Sequence, residues 1–295
     1  MSESRVDEGK CIACGRCVDV CPSRVLRRHP ESGKAGFTED FDAFCLRCGH
    51  CMAICPEEAI VIEGMSYEAD FAPYSGAAAD AEAFEALLER RRATRAFTDE
   101  PVTREPLEAI VRMVSLAPMG FPPSAVELTV AHGREKIQRA IPAMVKFYRK
   151  LNGLMGNPLV RPFMRLGMSG SDFVTVRDKV CPIMRRAMPA LEAGQDVITW
   201  GAPAMVLIHA HKASTCLLDD GHIAQTYVLL AAHALGLGAC PVGLVVPAVQ
   251  MVRELREMYG IPAGHKVTGC VIVGHAKHRY EHRAVRRSLA AVRWV

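Results

Sequence analysis

Two short cysteine-rich segments carry the residues best suited to chemistry. The first, "CIACGRCVDVCP" at residues 11–22, is followed by "CLRCGHCMAICP" at residues 45–56. Both read C-x2-C-x2-C-x3-C-P, and together they hold eight of the twelve cysteines in a chain of 295 residues. Thiolates are soft ligands that suit zinc and iron–sulfur clusters. The spacing therefore predicts metal or cluster binding.

Composition decides between metal binding and disulfide formation. The N-terminal stretch "MSESRVDEGK" is polar and lacks the apolar run of a signal peptide, so we expect a cytoplasmic protein. Thiols stay reduced in the cytosol, where clustered cysteines bind metal more often than they form disulfides. The chain is 50% hydrophobic and 23% charged, which is typical of a soluble globular protein.

The cysteine spacing resembles that of bacterial two-cluster ferredoxins over residues 5–64, and the resemblance implies a one-electron relay. In that family three thiolates wrap one cluster, and a short helical step ended by proline carries the fourth cysteine to the other cluster. Zinc is the alternative, but structural zinc sites usually pair C-x2-C with a distant second pair. The resemblance implies two [4Fe–4S] clusters, one held by Cys11, Cys14, Cys17 and Cys55, the other by Cys45, Cys48, Cys51 and Cys21.

Charge divides the chain into an acidic head and a basic body. Residues 1–70 hold 8 Lys/Arg and 13 Asp/Glu, whereas the remainder holds 28 and 19. This asymmetry predicts two domains. The stretch "SYEADFAPYSGAAADAEA" contains Pro, Gly and repeated Ala without strong periodicity and is typical of a linker, so we expect a cluster domain at 1–65, a linker at 66–82 and a second domain at 83–295. The basic part has no Lys/Arg-rich run interleaved with aromatic residues, so we expect no nucleic-acid binding. The positive charge of this part is better suited to binding the phosphate of a cofactor.

The pattern of the second domain predicts an α+β fold, because helices and strands alternate irregularly. No G-x-G-x-x-G follows a strand, which argues against a dedicated dinucleotide-binding fold. Apolar periodicity predicts a helix capped by Asp80 with a stripe of Phe84, Leu87 and Leu88. It also predicts a helix after Thr103 with Leu107, Ile110, Val111 and Val114 inward, strands at 126–132, 204–210 and 266–275, and a helix started by Pro247 with Val249, Val252 and Leu255 inward.

One stretch without charged residues resembles a membrane-spanning segment in composition. No Asp, Glu, Lys or Arg occurs from His222 to Val252. The segment "GLGACPVG" at 236–243 interrupts it and leaves too few helical residues to cross a bilayer. We therefore expect a buried core or dimer-interface helix followed by a tight loop, and no membrane span.

The segment "ERRRATRAFTDEPV" at 89–102 has four arginines in seven residues, which alone could be a solvated helix face. Its order and context resemble the opening signature of the nitroreductase family. Further segments match that family in the same order: "LAPMGFPPSAVELTV", "WGAPAMVLIHA", "DDGHIAQTYVLLAAHALGLGACPVGLV" and "VTGCVIVGHAKHRYEHRAVRR". The resemblance covers about residues 83–132 and 196–295.

The resemblance implies a homodimer with FMN at the subunit interface. Carried over by position, Arg91 binds the phosphate, Arg95 lies near N1 and O2 of the flavin, and Arg286 or Arg287 closes on the phosphate. The chemistry agrees, because arginine suits phosphate and a cation near N1 stabilises a reduced flavin. The remaining residues that the resemblance places at FMN are Ala93, Met119, Gly120, Pro122, Ser124 and the backbone of Pro241, Val242 and Gly243.

Two positions depart from the family pattern. Ala93 replaces the usual serine, which leaves only backbone donors there. The loop "APMGFPPSAV" lacks the usual asparagine and tryptophan. Substrate specificity therefore does not follow from the resemblance.

Residues 141–199 lie outside the resemblance and hold 9 Lys/Arg, 4 Asp/Glu and six methionines. We predict a variable lid or insertion that offers an adaptable apolar wall with positive rims to an anionic, partly apolar substrate. The alternative is a helical insertion at the dimer surface or a membrane interface. Cys181 is expected to be an ordinary thiol and not a nucleophile, and Cys216, Cys240 and Cys270, which lie in apolar runs, are expected to be small core residues. The histidines His209, His211, His222, His233 and His275 lack a metal-ligand spacing with carboxylates and are expected to be structural.

A ferredoxin-like head on a flavin-binding body predicts a converter between one-electron and two-electron chemistry. In this hypothesis a ferredoxin-like or other low-potential donor supplies electrons to the clusters, and FMN reduces a small nitro, quinone or activated-alkene acceptor through N5. One alternative is oxidation of a substrate by FMN with electrons leaving through the clusters. Another is a non-catalytic electron-transfer subunit. No side chain is expected to act as a nucleophile.

Overall fold

The computed structural model describes residues 3–74, 76, 80–120, 125–278 and 289–294. The chain divides into two compact units. The first consists of Met1–Ala79 with Gly120–Pro123, and the second of Asp80–Met119 with Ser124–Val295. The predicted domain boundaries stay a prediction.

The described residues of the first unit form two small antiparallel ribbons and four helical turns. Strand β1 pairs with β4, and β2 pairs with β3. Strand β2 follows the first cysteine segment, and β4 follows the second. Helix α4 lies within the segment predicted as a linker. The elements are β1 (Arg5–Val6), α1 (Arg16–Asp19), β2 (Leu26–Arg28), β3 (Ala35–Phe37), α2 (Phe41–Phe44), α3 (His50–Ala53), β4 (Ile60–Val61) and α4 (Tyr67–Asp70).

The sequence repeat of this unit is also a repeat of backbone conformation. Gly15 has φ 75° and Gly49 has φ 74°, and each immediately precedes a short helix, α1 or α3. Two further pairs of residues with a left-handed backbone conformation lie in or just after the two segments at the same spacing. They are Ala13 with Arg47, and Arg24 with Glu58. The two cysteine segments therefore fold into the same local path.

The second unit combines ten α-helices, one π-helical turn and four strands among its described residues. Its first elements are α5 (Ala81–Arg90), α6 (Arg104–Val114), β5 (Val126–His132), α7 (Arg134–Gln138), α8 (Ile141–Gly156), α9 (Arg161–Leu166) and α10 (Gly170–Thr175). A π-helical turn at Val176–Val180 follows, and then α11 (Cys181–Glu192), β6 (Ala204–His211), α12 (Leu217–Ala234), β7 (Gly238–Pro241), α13 (Val245–Met251), α14 (Arg253–Met258) and β8 (His265–Gly274).

The four strands form one antiparallel sheet of order β5-β6-β8-β7 with helices on both faces. Successive side chains of β6 pack on opposite faces of the sheet. Met205 and Leu207 pack in the core that contains residues of α8, α11, α13 and α14, whereas Val206 and Ile208 pack in the core of α6 and α12. Burial on both faces explains why β6 begins with five consecutive apolar residues, 204–208. The expected α+β fold is confirmed.

Two close approaches fix α12 on the sheet. Gly221 lies so near Thr268 that a Cβ atom would collide with its side chain. One turn further on, Gln225 Oε1 lies 2.6 Å from where a Cβ of Gly269 would stand. These contacts give the D-x-G-x-x-x-Q spacing a packing function. Among the described residues, no helix has the length and apolar character needed to cross a membrane.

Most predicted elements occur, with two differences. The three predicted strands agree with β5, β6 and β8 to within one residue. In α6, Val111 is 39% exposed, because it lies at the edge of the buried stripe formed by Leu107, Ile110 and Val114. The single helix predicted from Pro247 is two helices, because Val252 has an extended backbone that ends α13 before α14 begins.

The segment predicted as a lid contributes to the core at both ends. Met144 and Tyr148 of α8 and Met184 of α11 are fully buried in the core of the second unit. Between them, α9 exposes Phe163 and Leu166. This middle part has the exposed apolar character expected of a substrate-covering wall.

A matched pair of glycine substitutions tests the close packing of α12. Gly221→Ala places a methyl group against Thr268, and we expect a loss of about 1–3 kcal/mol of stability from overpacking. Gly153 is an exposed helical glycine of α8 with open space at its Cβ position, so Gly153→Ala should stabilise by up to about 1 kcal/mol. Thermal unfolding followed by circular dichroism measures both. Equal effects of the two substitutions would contradict the close approach.

Candidate functional site

The structure groups the eight cysteines of the repeat into two sets. In the first set, burial raises the pKa of the Cys17 thiol, and the neighbouring thiols of Cys55, Cys11 and Cys14 raise it further. Three members of this set belong to the first cysteine segment, and Cys55 comes from the second. An ion bound by these sulfurs would relieve both the burial and the mutual repulsion of the thiolates.

The second set takes three cysteines from the second segment and one, Cys21, from the first. Burial raises the pKa of the Cys51 thiol to about 12; the Met52 backbone opposes this shift, and Cys48, Cys45 and Cys21 add to it. These four cysteines line one cavity. The wall of the cavity is apolar and includes Val25, Leu26, Phe37, Phe41 and Ile62.

Backbone and side-chain donors surround the two sets. Cys45 Sγ accepts a hydrogen bond from the Arg47 N–H at 3.4 Å, and Cys55 Sγ accepts one from the Ala59 N–H at 3.3 Å. The Arg28 guanidinium donates to the carbonyl oxygens of Ala13 and Cys14 at 3.0 and 2.9 Å. Clustered thiols that receive backbone N–H groups in an apolar setting fit iron–sulfur clusters, whose potentials depend on such hydrogen bonds.

In the second unit, the arginine-rich segment is attached to the edge of the sheet. Ala93 forms an isolated parallel bridge with Ala239 of β7, and the Thr94 N–H donates to the Ala239 carbonyl at 3.0 Å. Gly238 permits this approach, because atoms of Thr94 lie 2.7 Å from where a Cβ would stand. Arg91 is therefore held just before the pairing and Arg95 just after it.

These arginines create a region of positive potential. Burial raises the pKa of the Cys240 thiol, while Arg95, through its charge and a hydrogen bond, and Arg91 oppose the shift. Burial lowers the pKa of His233, and the charges of Arg91, Arg90 and Arg92 lower it further.

A buried donor in the same segment is unpaired. Arg92 Nε is inaccessible to solvent and has no hydrogen-bond partner among the described residues. A buried donor without a partner is costly, so this atom indicates a missing acceptor. The oxygens of a phosphate group fit that requirement and the surrounding charge.

Trp200 is a site residue that the sequence analysis did not identify. The Arg95 guanidinium lies over its ring, 5.3 Å from the ring centre. Trp200 has φ 50°, an uncommon value for a bulky residue. The only signal in the sequence is its position at the start of "WGAPAMVLIHA".

Asp196 holds the turn that carries Trp200. Its carboxylate accepts hydrogen bonds from the backbone N–H groups of Ile198, Thr199 and Gly201 at 2.8–3.0 Å. It also accepts from Gln138 Nε2 at 2.7 Å and from the Thr199 hydroxyl. Burial acts to raise the pKa of Asp196, but these hydrogen bonds outweigh it and hold that pKa below its usual value.

The remaining predicted FMN residues are placed as follows. Val242 is buried and its N–H donates to the Cys270 carbonyl at 2.8 Å, whereas its neighbours Pro241 and Gly243 are exposed. Met119 packs against the core of α6 and α12, and Gly120 is grouped with the first unit. Pro122, Ser124, Arg286 and Arg287 lie outside the described residues.

The other thiols and histidines partly match expectation. Cys181, Cys240 and Cys270 are buried, but Cys216 is only half-buried and was wrongly expected in the core. Burial raises the pKa of the Cys181 thiol, which does not suit a nucleophile. Nor is His209 an isolated structural residue, because its Nδ1 lies 3.0 Å from His265 Nδ1.

Two protein-family models match the chain. The model of the nitroreductase family covers residues 88–275, and that of the 4Fe-4S dicluster domain covers residues 10–59. The second match identifies the N-terminal segment as a 4Fe-4S dicluster domain. A search of curated proteins found no match.

Solved structures of FMN-bound nitroreductases share the fold. One from Bacteroides fragilis has 18% identity and a TM-score of 0.52, covering 71% of this chain and 98% of its own. One from Desulfitobacterium hafniense has 20% identity and a TM-score of 0.51, covering 72% and 97%. A mutant of the FMN and NADPH-dependent nitroreductase NfnB from a Sphigopyxis species has 24% identity and a TM-score of 0.51, covering 71% and 97%.

Substitution of Asp196 tests the turn that carries Trp200. We expect Asp196→Asn to cost about 1–3 kcal/mol at neutral pH, because backbone donors lose a charged acceptor. The native pKa of Asp196 is depressed, so its contribution is complete above the unfolded value of about 3.9 and is lost as pH falls through the lower folded value. The difference between wild type and variant should therefore shrink below about pH 4.

Thermal midpoints measured between neutral and acidic pH check this prediction. The control is Asp178→Asn, which removes an exposed carboxylate paired with the adjacent Arg177. Its effect should stay within about 0.5 kcal/mol. An Asp196→Asn loss as small as the control, or one that does not change in acid, would contradict the role of Asp196.

Proposed function

The chain belongs to the nitroreductase family, and we propose that it reduces a small organic acceptor with electrons received one at a time through two [4Fe–4S] clusters. It is an oxidoreductase with an iron–sulfur domain, and its cofactors are FMN and the two clusters. When bound, FMN exchanges one or two electrons and transfers hydride at N5, whereas a [4Fe–4S] cluster exchanges single electrons. The observation that carries the proposal is the presence of two four-cysteine sets in a chain of this family.

In this proposal, the sets hold one cluster each. Each set takes three cysteines from one segment and the fourth from the other segment. The raised pKa of Cys51 means that cluster assembly has to displace a proton from a buried thiol. The apolar cavity around the second set keeps water away from the sulfurs, and the N–H groups of Arg47 and Ala59 stabilise negative charge on them.

The arginine-rich segment binds and orients FMN. Arg91 and Arg92 suit its phosphate, since both add to the positive potential around His233 and Arg92 Nε has no other acceptor. Arg95 suits the side of the flavin ring that becomes negative on reduction. Trp200 lies under the Arg95 guanidinium and restricts its orientation. The exposed backbone at Pro241 and Gly243 can approach the ring without a bulky side chain intervening.

A second copy of the chain completes the site in this proposal. Phe84 and Leu88 of α5 are 51% and 45% exposed although they belong to an amphipathic stripe. These side chains lie in the helix that leads directly into Arg91, so an interface that covers them also borders the FMN-binding segment. A homodimer explains the exposed stripe. We infer a small nitro, quinone or activated-alkene compound as the acceptor.

Substitution of the arginines tests FMN binding. We expect Arg91→Gln and Arg95→Gln each to raise the Kd for FMN about tenfold to a hundredfold, because charge-assisted hydrogen bonds are each worth about 1.5–3 kcal/mol. Quenching of FMN fluorescence measures the Kd. Arg112→Gln, at an exposed arginine of α6, should leave it unchanged. An equal Kd in all three variants, or failure of the wild type to bind flavin, would contradict the proposed site.

Anaerobic reduction tests electron entry through the clusters. In protein loaded with FMN and clusters, reduced ferredoxin should bleach the flavin absorbance faster than NADH or NADPH does. Cys14→Ser should slow this reduction at least about tenfold, since it removes a proposed ligand that is exposed and outside the core. Cys216→Ser serves as the control, because Cys216 belongs to neither set.

The alternatives give different results. If reduced ferredoxin bleaches the flavin as fast in Cys14→Ser as in wild type, electrons bypass the clusters and the proposal fails. If an electron-rich substrate reduces the flavin and an oxidised ferredoxin drains it, the reaction runs in the oxidative direction. If no organic compound reoxidises the reduced flavin, the chain is an electron-transfer subunit.

A further inference from the structure

Three side chains from three strands converge at one end of the sheet of the second unit. Glu127 of β5 and His209 of β6 are direct cross-strand partners. His265 is the first residue of β8. The register between β6 and β8 shifts between Ile208 and His209. This irregularity makes His209 and His265 diagonal neighbours, and their side chains meet within hydrogen-bond distance.

The geometry of this cluster is close to that of a metal site. His209 Nδ1 lies 3.0 Å from His265 Nδ1 and 3.9 Å from Glu127 Oε2. Glu127 Oε1 lies 3.8 Å from His265 Nε2, and one ligand atom of each residue falls within 4.8 Å of the others. Two nitrogens each about 2.0 Å from a tetrahedral Zn²⁺ are about 3.3 Å apart, close to the separation of the two imidazoles.

We propose that Glu127, His209 and His265 bind a divalent transition-metal ion such as Zn²⁺. The histidine side chains are 2% and 11% exposed, so they form a fixed pair, while Glu127 is 54% exposed and free to close the remaining distance. Two imidazoles and one carboxylate are a ligand set that zinc accepts while keeping a position open for water or a substrate. None of the three residues belongs to the cysteine sets or to the arginine-rich segment.

The hydrogen bonding of His209 prepares it as a ligand. Its Nε2 lies 3.1 Å from Thr129 Oγ1, so the Nε2–H can donate to this hydroxyl while Nδ1 faces His265. A metal-binding histidine commonly donates its other N–H in this way, which fixes the ring and its tautomer. In the metal-free protein, one of the two Nδ1 atoms carries a proton and donates a hydrogen bond to the other. A bound metal ion takes the place of that proton.

The surroundings of His209 favour its neutral imidazole form. Burial lowers the pKa of His209; Glu127 opposes this shift, and His265 and Arg256 add to it. Arg256 is itself engaged, because its Nη2 donates to the carbonyl oxygens of Pro262 and His265. Neutral imidazole is the form that binds metal, so a proton competes little with the ion at neutral pH.

The experiment compares Zn²⁺ binding by full-length, cluster-loaded protein and its variants under anaerobic conditions. Cluster loading occupies the cysteine thiolates, which would otherwise bind zinc. Each protein is equilibrated with ZnCl₂ and desalted, and its zinc content is measured by mass spectrometry. The variants are Glu127→Gln and His265→Gln, and the control is His222→Gln, at an exposed histidine of α12. Any zinc held by vacant cysteines contributes equally to all four proteins.

We expect wild type and His222→Gln to retain one more Zn²⁺ per chain than Glu127→Gln and His265→Gln. Zn²⁺ should raise the thermal midpoint of wild type and of His222→Gln but not of Glu127→Gln or His265→Gln, since a ligand that binds the folded state stabilises it. Equal zinc contents in all four proteins would overturn the proposal. Because Glu127 is half-exposed, Glu127→Gln should fold normally, and circular dichroism checks this.

X-ray absorption at the zinc edge provides a second measurement on unmutated protein. Nitrogen and oxygen ligands at about 2.0–2.2 Å, with imidazole scattering, would support the site. Sulfur ligands at about 2.3 Å would overturn it, because they place the ion at cysteine.

Discussion

The backbone pairing between the arginine-rich segment and β7 is the interaction on which the proposed flavin site depends. A chain segment that carries four arginines would repel itself and remain solvated without a fixed support. The hydrogen bond from the Thr94 N–H to the Ala239 carbonyl, together with the missing side chain of Gly238, ties this segment to the edge of a sheet that is buried on both faces. The sheet thereby provides the rigidity, and the arginine-rich segment provides the positive charge. Asp196 extends the same arrangement by holding Trp200 under Arg95.

In the first unit, the corresponding constraint is the burial of thiols that must become thiolates. An apolar cavity around Cys21, Cys45, Cys48 and Cys51 opposes ionisation, as the raised pKa of Cys51 shows. The free energy of metal–thiolate bonds has to offset this cost, so folding of the unit and binding of its ligands are linked. The small size of the apolar core in this unit, which centres on Met52, Ile60 and Ile62, strengthens that dependence.

Local patterns in the sequence predicted local structure well. Cysteine spacing indicated the two segments, and apolar alternation located β5, β6 and β8 to within a residue, because both signals lie within a few neighbouring positions. Features that depend on distant residues were missed. The break at Val252 has no glycine or proline to mark it, and the Asp196 turn depends on Gln138, far away in the sequence. The group of Glu127, His209 and His265 depends on three strands and on an irregular register, and no spacing in a single segment reveals it.

The exchange of the fourth cysteine between the two segments has a consequence for how such a unit can be inherited. Each half of the repeat lacks one sulfur for its own set and supplies one to the other, so neither half is complete alone. The matching left-handed residues, such as Gly15 and Gly49, show that both halves keep the same path despite different side chains around them. A single ancestral half could have worked only by pairing with a second copy of itself. Duplication followed by fusion replaces this association of two molecules by a covalent link that does not depend on concentration. Loss of either half would then leave both four-cysteine sets incomplete.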